Sequence, residues 1–104
     1  MKEKLLKIIN NYGVSPQLKH LYTEMYEFTE AVFEYENAGW DFNDEECEHI
    51  VKEYKDHIQE EFADLMVMLE QFKVYYNLSN EDVLETMKYK IERQLKRIEE
   101  ENKR

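Results

Sequence analysis

Residues 57–76, HIQEEFADLMVMLEQFKVYY, decide the fold class. Ile58, Phe62, Leu65, Leu69, Phe72 and Tyr76 recur at three- and four-residue spacing, the period of one helix face, with no Gly or Pro among them. On a helical wheel Glu61 falls only about 40° from the centre of that stripe, so an acid points toward the packed side. Nothing upstream breaks a helix as far back as Asn43 or Asp44, either of which can cap it, with Glu45 and Glu46 suited to the first turn. The run exceeds an ordinary globular helix, and the sequence leaves open one long rod or a bend near Tyr54 to Ile58.

Before this stretch, Ala38-Gly39-Trp40-Asp41-Phe42-Asn43 interrupts a second amphipathic segment. Its start is read at Ser15 as N-cap with Pro16 at the first helical position, its end near Asn37, and its core stripe as Leu18, Leu21, Met25, Phe28 and Val32. Earlier still, Leu5, Leu6, Ile8 and Ile9 give a short helix over Lys2 to Tyr12 that Gly13 can end in the left-handed conformation. After Tyr76, Asn77-Leu78-Ser79 is a stop. Ser79 with Asp82 resembles a capping box, and a last helix runs to about Glu101 through Val83, Met87, Ile91, Leu95 and Ile98. The expectation is one all-α domain over residues 1–104, a four-helix bundle. Its many aromatic and methionine side chains exceed what one chain can cover, which points to a homodimer or homotetramer.

Composition narrows the partners. Only two Gly and one Pro leave few turns for an all-β fold. Lys and Arg number 14 against 24 Asp and Glu, and a net charge of -10 opposes docking on DNA or RNA phosphates. A small polyphosphate can still bind where divalent cations reverse the local sign. Cys47 is the single cysteine, so no internal disulfide or cysteine zinc cage forms, in keeping with a reducing, cytoplasmic setting. No apolar run approaches the roughly 20 residues needed to span a bilayer, and MKEKLLKIINNYG lacks a signal-peptide core.

The chemistry-bearing feature is a pair of carboxylates three residues apart, occurring twice: Glu24 with Glu27, and Glu61 with Asp64. That spacing puts both acids of a pair on one side of a helix, and two such helices side by side present four carboxylates to one point. An inward acid in such company requires a cation, and no Lys or Arg on these faces supplies it. All-oxygen donors favour magnesium, with manganese as a substitute, over zinc. In a chain this acidic either pair alone is most often a solvated face; the inward placement of Glu61 and the repeat on two helices favour ligation. His20, His49 and His57 are too widely spaced for a metal site and read as solvent-facing or helix-pairing residues. Trp40 reads as an interhelical anchor and Cys47 as inert.

The segments QLKHLYTEMYEFTEAV (17–32) and QEEFADLMVML (59–69) resemble the two metal-binding helices of the MazG-like all-α nucleotide pyrophosphohydrolases, whose shared mark is ExxE followed by ExxD. MKYKIERQLKRI (87–98) is similar to the basic stretch of their last helix, so the resemblance spans about residues 15 to 98. It implies hydrolysis of a nucleoside triphosphate to monophosphate and pyrophosphate, with Mg²⁺ on Glu24, Glu27, Glu61 and Asp64 as the catalytic centre. It also implies phosphate contacts from Lys90 and Arg93, help from Arg97, and an approach of Gln17 to the nucleotide. Thr23 departs from the pattern, standing where many members have another Glu, and the stretch between the motifs is long for the family. The alternatives are a dUTP or dCTP pyrophosphatase, a phosphoribosyl-ATP pyrophosphohydrolase, or, in another class, a non-catalytic helical interaction protein.

Overall fold

A computed structural model describes residues 1–39 and 45–103, and within them every regular element is a helix: α1 (Lys2–Tyr12), α2 (Val14–Glu36), α3 (Glu45–Tyr75) and α4 (Asn80–Asn102). No helix among the described residues is long and apolar enough to cross a membrane. The Trp40 anchor and the Asn43 or Asp44 cap lie outside the described residues.

Local chemistry sets the boundaries. Gly13 lies at φ 92 and ψ 161, an extended conformation of positive φ that is essentially restricted to glycine, rather than the left-handed helical geometry expected. Its N–H donates to the Ile9 carbonyl and its own carbonyl accepts from Gln17 N, so one residue closes α1 and opens α2. The start of α2 is therefore Gly13–Val14, not Ser15, and no side chain caps it. Pro16 is tolerated two positions deeper than expected, at the third helical residue, because the first four N–H groups of a helix have no intrahelical partner. At the other end of α3, Asn77 takes φ 55, Leu78 N donates to Lys73 O and Asn77 N to Val74 O, the hydrogen-bond pair of a Schellman stop. Ser79 Oγ then accepts from Asp82 N and caps α4 as the sequence indicates.

The alternative left open for α3 resolves to one continuous 31-residue helix, about 46 Å long at 1.5 Å per residue. Its central part packs on α2, and α1 lies against both, chiefly α3. Leu5 and Ile9 of α1, Ala31 of α2 and Met68 of α3 form the buried apolar centre.

Two expectations change. The contact face of α2 is turned by one residue: Gln17, Glu24 and Ala31 are buried, flanked by half-buried Leu21, Phe28 and Tyr35, while Leu18 and Met25 are exposed. On α3 the inward line is Glu61, Leu65, Met68, Gln71 and Phe72, while Phe62, Leu69 and Tyr76 stand out. In both helices polar residues share the inward line with apolar ones. In addition, α4 packs on none of α1, α2 and α3 within one chain. Three helices form the packed unit and the fourth stands clear of it.

Candidate metal centre

Helices α2 and α3 run antiparallel in a fixed register that three contacts define. Gln17 Nε2 donates to Gln71 Oε1 at 2.7 Å, Glu24 meets Asp64, and Glu27 meets Glu61, each step moving seven or three residues in opposite directions. Phe28 packs edge-on against Phe62 with ring centroids 5.9 Å apart, closing the seam beside the Glu27 and Glu61 end. A one-residue change of facing in either helix would separate the acids, so the buried Gln pair and the Phe pair hold the centre between them.

Glu24, Glu61 and Asp64 each offer an oxygen, all within 4.8 Å of one another. Oxygens around one magnesium ion lie about 3 to 4 Å apart, given Mg–O distances near 2.1 Å, so this cage needs only a small contraction or bridging water. Glu24 is nearly sealed and Glu61 is largely covered. One oxygen of each, Oε2 in both cases, is buried with no hydrogen-bond partner. Two unsatisfied carboxylate oxygens facing a shared point are costly unless a cation accepts them. The donor set is all oxygen, as a hard divalent ion requires. Asp64 is exposed at the mouth, and Glu27 joins through its charge beside Glu61 rather than as a member of the tight trio.

The electrostatics agree. Burial, then the neighbouring Glu27 and Asp64 carboxylates, push the Glu61 carboxyl above its ordinary range, and only His57 pulls the other way. Histidines steady both inward acids: His20 Nε2 stands 2.9 Å from Glu24 Oε1, and His57 Nδ1 4.0 Å from Glu61 Oε1. His20 occupies Glu24 Oε1, and the Oε2 of each acid has no partner. All three histidines have a Glu four residues on, His49 pairing with Glu53, so the helix-pairing reading holds. The orienting role of His20 and His57 follows from a spacing visible in the sequence; Gln71 gave no such signal, because only the register reveals its partner.

The basic residues are placed differently. Lys90, Arg93 and Arg97 lie exposed on α4, and the Arg93 guanidinium sits 5.9 Å from the centre of the Tyr89 ring. Because α4 packs on no other helix of its chain, the structure does not bring these cations to the carboxylates. Gln17, by contrast, lines an open cleft that reaches Glu24 and Asp64. Comparison with family models, with curated proteins and with solved structures gives no match.

Proposed function

We propose that this protein is a magnesium-dependent nucleotide pyrophosphohydrolase of the MazG-like type, releasing pyrophosphate from a nucleoside triphosphate. The observation that carries the reading is that Glu24 and Glu61, each with a buried and unpartnered Oε2, bring a carboxylate oxygen within 4.8 Å of each other and of Asp64. Glu24, Glu61 and Asp64 would hold the ion, with Glu27 able to add a fourth carboxylate. When bound, magnesium or manganese supplies Lewis-acid stabilisation of phosphate oxygens and of the pyrophosphate leaving group.

The chain's own residues do the rest. His20 steadies Glu24, so that part of the site is organised before substrate arrives, while His57 stands near Glu61 at a longer 4.0 Å. Glu61, held above its usual range, is the acid of this centre at which cation binding competes with a proton. Asp64, exposed at the mouth, faces incoming phosphates. Lys90, Arg93 and Arg97 contribute to phosphate binding only where α4 folds back or a second copy brings its own α4 to the centre.

The test is pyrophosphate release from a panel of nucleoside triphosphates, dUTP and dCTP included, and from phosphoribosyl-ATP, with and without magnesium. Magnesium-dependent release supports the reading, and silence across the panel rejects it. One observation favours a second reading, a helical interaction protein: α4 exposes Leu84, Met87, Ile91, Leu95 and Ile98 along one face. That face also suits self-association of the enzyme, and a homo-oligomer reconciles the two.

A further inference from the structure

The apolar face of α4, which none of α1, α2 and α3 covers, carries its own symmetry. Leu84, Met87, Ile91, Leu95 and Ile98 are each about half exposed and, at about 100° per residue, fall within an arc of about 80° on the helix. Their spacing reads the same in both directions: Leu84 and Ile98 stand seven residues from Ile91, and Met87 and Leu95 stand four. A helix with such a seam can meet a copy of itself head to tail with every apolar side chain opposite another. Ile91 then lies against Ile91, Met87 against Leu95 and Leu84 against Ile98.

A parallel pair would also bring the seam onto itself, and the charges beside it distinguish the two. One flank carries Glu85, Lys88, Glu92 and Lys96, all exposed and, among the described residues, without an ion-pair partner in the chain. Its signs are opposed about nearly the same centre, for Glu85 and Lys96 bracket it at near-equal distances, as do Lys88 and Glu92. A two-fold axis sets the same flank of both helices side by side. Lys88 then faces Glu92 of the second copy and Lys96 faces its Glu85, each contact made twice. In-register parallel packing sets this flank against the opposite one, Val83, Lys90, Gln94 and Arg97, which can serve Glu85 and Glu92 but leaves Lys88 and Lys96 among like charges. Glu81 and Glu99 come together at each end of the antiparallel pair, where both are exposed and solvent screens them.

We propose that α4 is an antiparallel dimerisation helix that pairs with α4 of a second copy about a two-fold axis at Ile91. The last turns of each α4 run beside the first turns of the other, and the packed units stand at opposite ends of the pair. At each end a hollow of about 470 Å³ beside the α3–α4 turn, lined in part by Leu78, Val83, Thr86 and Met87, comes level with Leu95 and Ile98 of the second copy. The contact is made along α4, so it stands whether or not the carboxylate centre is catalytic.

The experiment places cysteines on the seam in a Cys47→Ser background, oxidises with glutathione disulfide, and reads covalent dimer on non-reducing gels. Ile91→Cys should link to itself, because only a residue on the axis meets its own copy. Leu84→Cys and Ile98→Cys should each fail to link alone and should link when the two proteins are mixed before oxidation. A Leu84→Cys protein that links to itself, as parallel helices require, or an Ile91→Cys protein that does not, overturns the proposal. The flank gives a second measurement that leaves the seam intact. Lys88→Glu should raise the dissociation constant of the dimer in sedimentation about fivefold, and adding Glu92→Lys should restore it. No weakening, or a weakening that the second substitution leaves in place, rejects the pairing.

Discussion

Glu61 concentrates the physical argument at the scale of a single residue. It lies on the inward line of α3, its Oε2 has no partner, and two further carboxylates surround it. Substituting Gln removes the charge and keeps the shape. Glu61→Gln should raise the melting temperature of the metal-free protein, because it removes a repelled carboxylate, and should lower pyrophosphate release by at least about 100-fold. In the unsubstituted chain, magnesium at about 100 times its Kd adds about 2.7 kcal/mol. For a domain of this size that is a rise on the order of 10 °C in thermal denaturation, and Glu61→Gln should lose most of it. A variant that keeps both the shift and the rate would reject the centre. The pH dependence has a definite sign. A carboxyl raised in the folded state binds its proton more tightly than in the unfolded chain, so its contribution is full below the ordinary carboxylate value and is lost as pH rises through the raised one. The metal-free protein should therefore lose stability over that rise, and magnesium should oppose the loss, since the cation replaces the proton. Melting curves across pH with chelator and with magnesium check both halves.

At the scale of elements, the helix ends were readable because they depend on local chemistry: Gly13, Asn77 and Ser79 act through their own backbone or side chains. The facing of the helices was less so. Counting apolar residues turned Glu61 of α3 inward, as the structure has it, but placed Leu18 and Met25 of α2 inside, whereas the α2 seam passes through Gln17 and Glu24. The error is informative, for a helix turns its polar line inward only where partners across the seam, such as Gln71 for Gln17, satisfy part of it. The candidate acids and the histidines four residues before Glu24 and Glu61 were legible from their spacing, but the amide pair depends on register. The connection between α1 and α2 gives a direct test. Gly13 holds a φ of 92 with ψ of 161, and an added Cβ would meet only Pro16 Cδ at an ordinary 3.7 Å. Crowding is thus irrelevant and conformation decides. Gly13→Ala should cost about 1–3 kcal/mol in urea unfolding, and a neutral result would mean that α1 and α2 meet through a different backbone path.

The whole molecule is too open for its length. Its radius of gyration is 18.2 Å, against about 13 Å for a compact domain of some 100 residues. The buried apolar side chains among the described residues are Leu5, Ile9, Ala31 and Met68, too few to stabilise a chain that leaves Phe33, Phe62, Leu69 and the α4 face exposed. On α4, Leu84, Ile91 and Ile98 repeat every seven residues with Met87 and Leu95 between them, a seam of the kind that helices use to pack on one another. None of α1, α2 and α3 meets it. A second copy of the chain is the simplest cover, because it brings an identical seam and an identical exposed α2–α3 flank. Sedimentation velocity at micromolar concentration should give a dimer or tetramer, and Ile91→Glu, at the middle of the seam, should shift it toward monomer by at least about tenfold in dissociation constant. The same substitution should lower the melting temperature and weaken its rise with the logarithm of protein concentration, since association and folding are linked in the unsubstituted chain. A monomer that stays folded with α4 bare would remove the assembly, and with it any route by which Lys90, Arg93 and Arg97 of one copy meet phosphates held at the carboxylates of another.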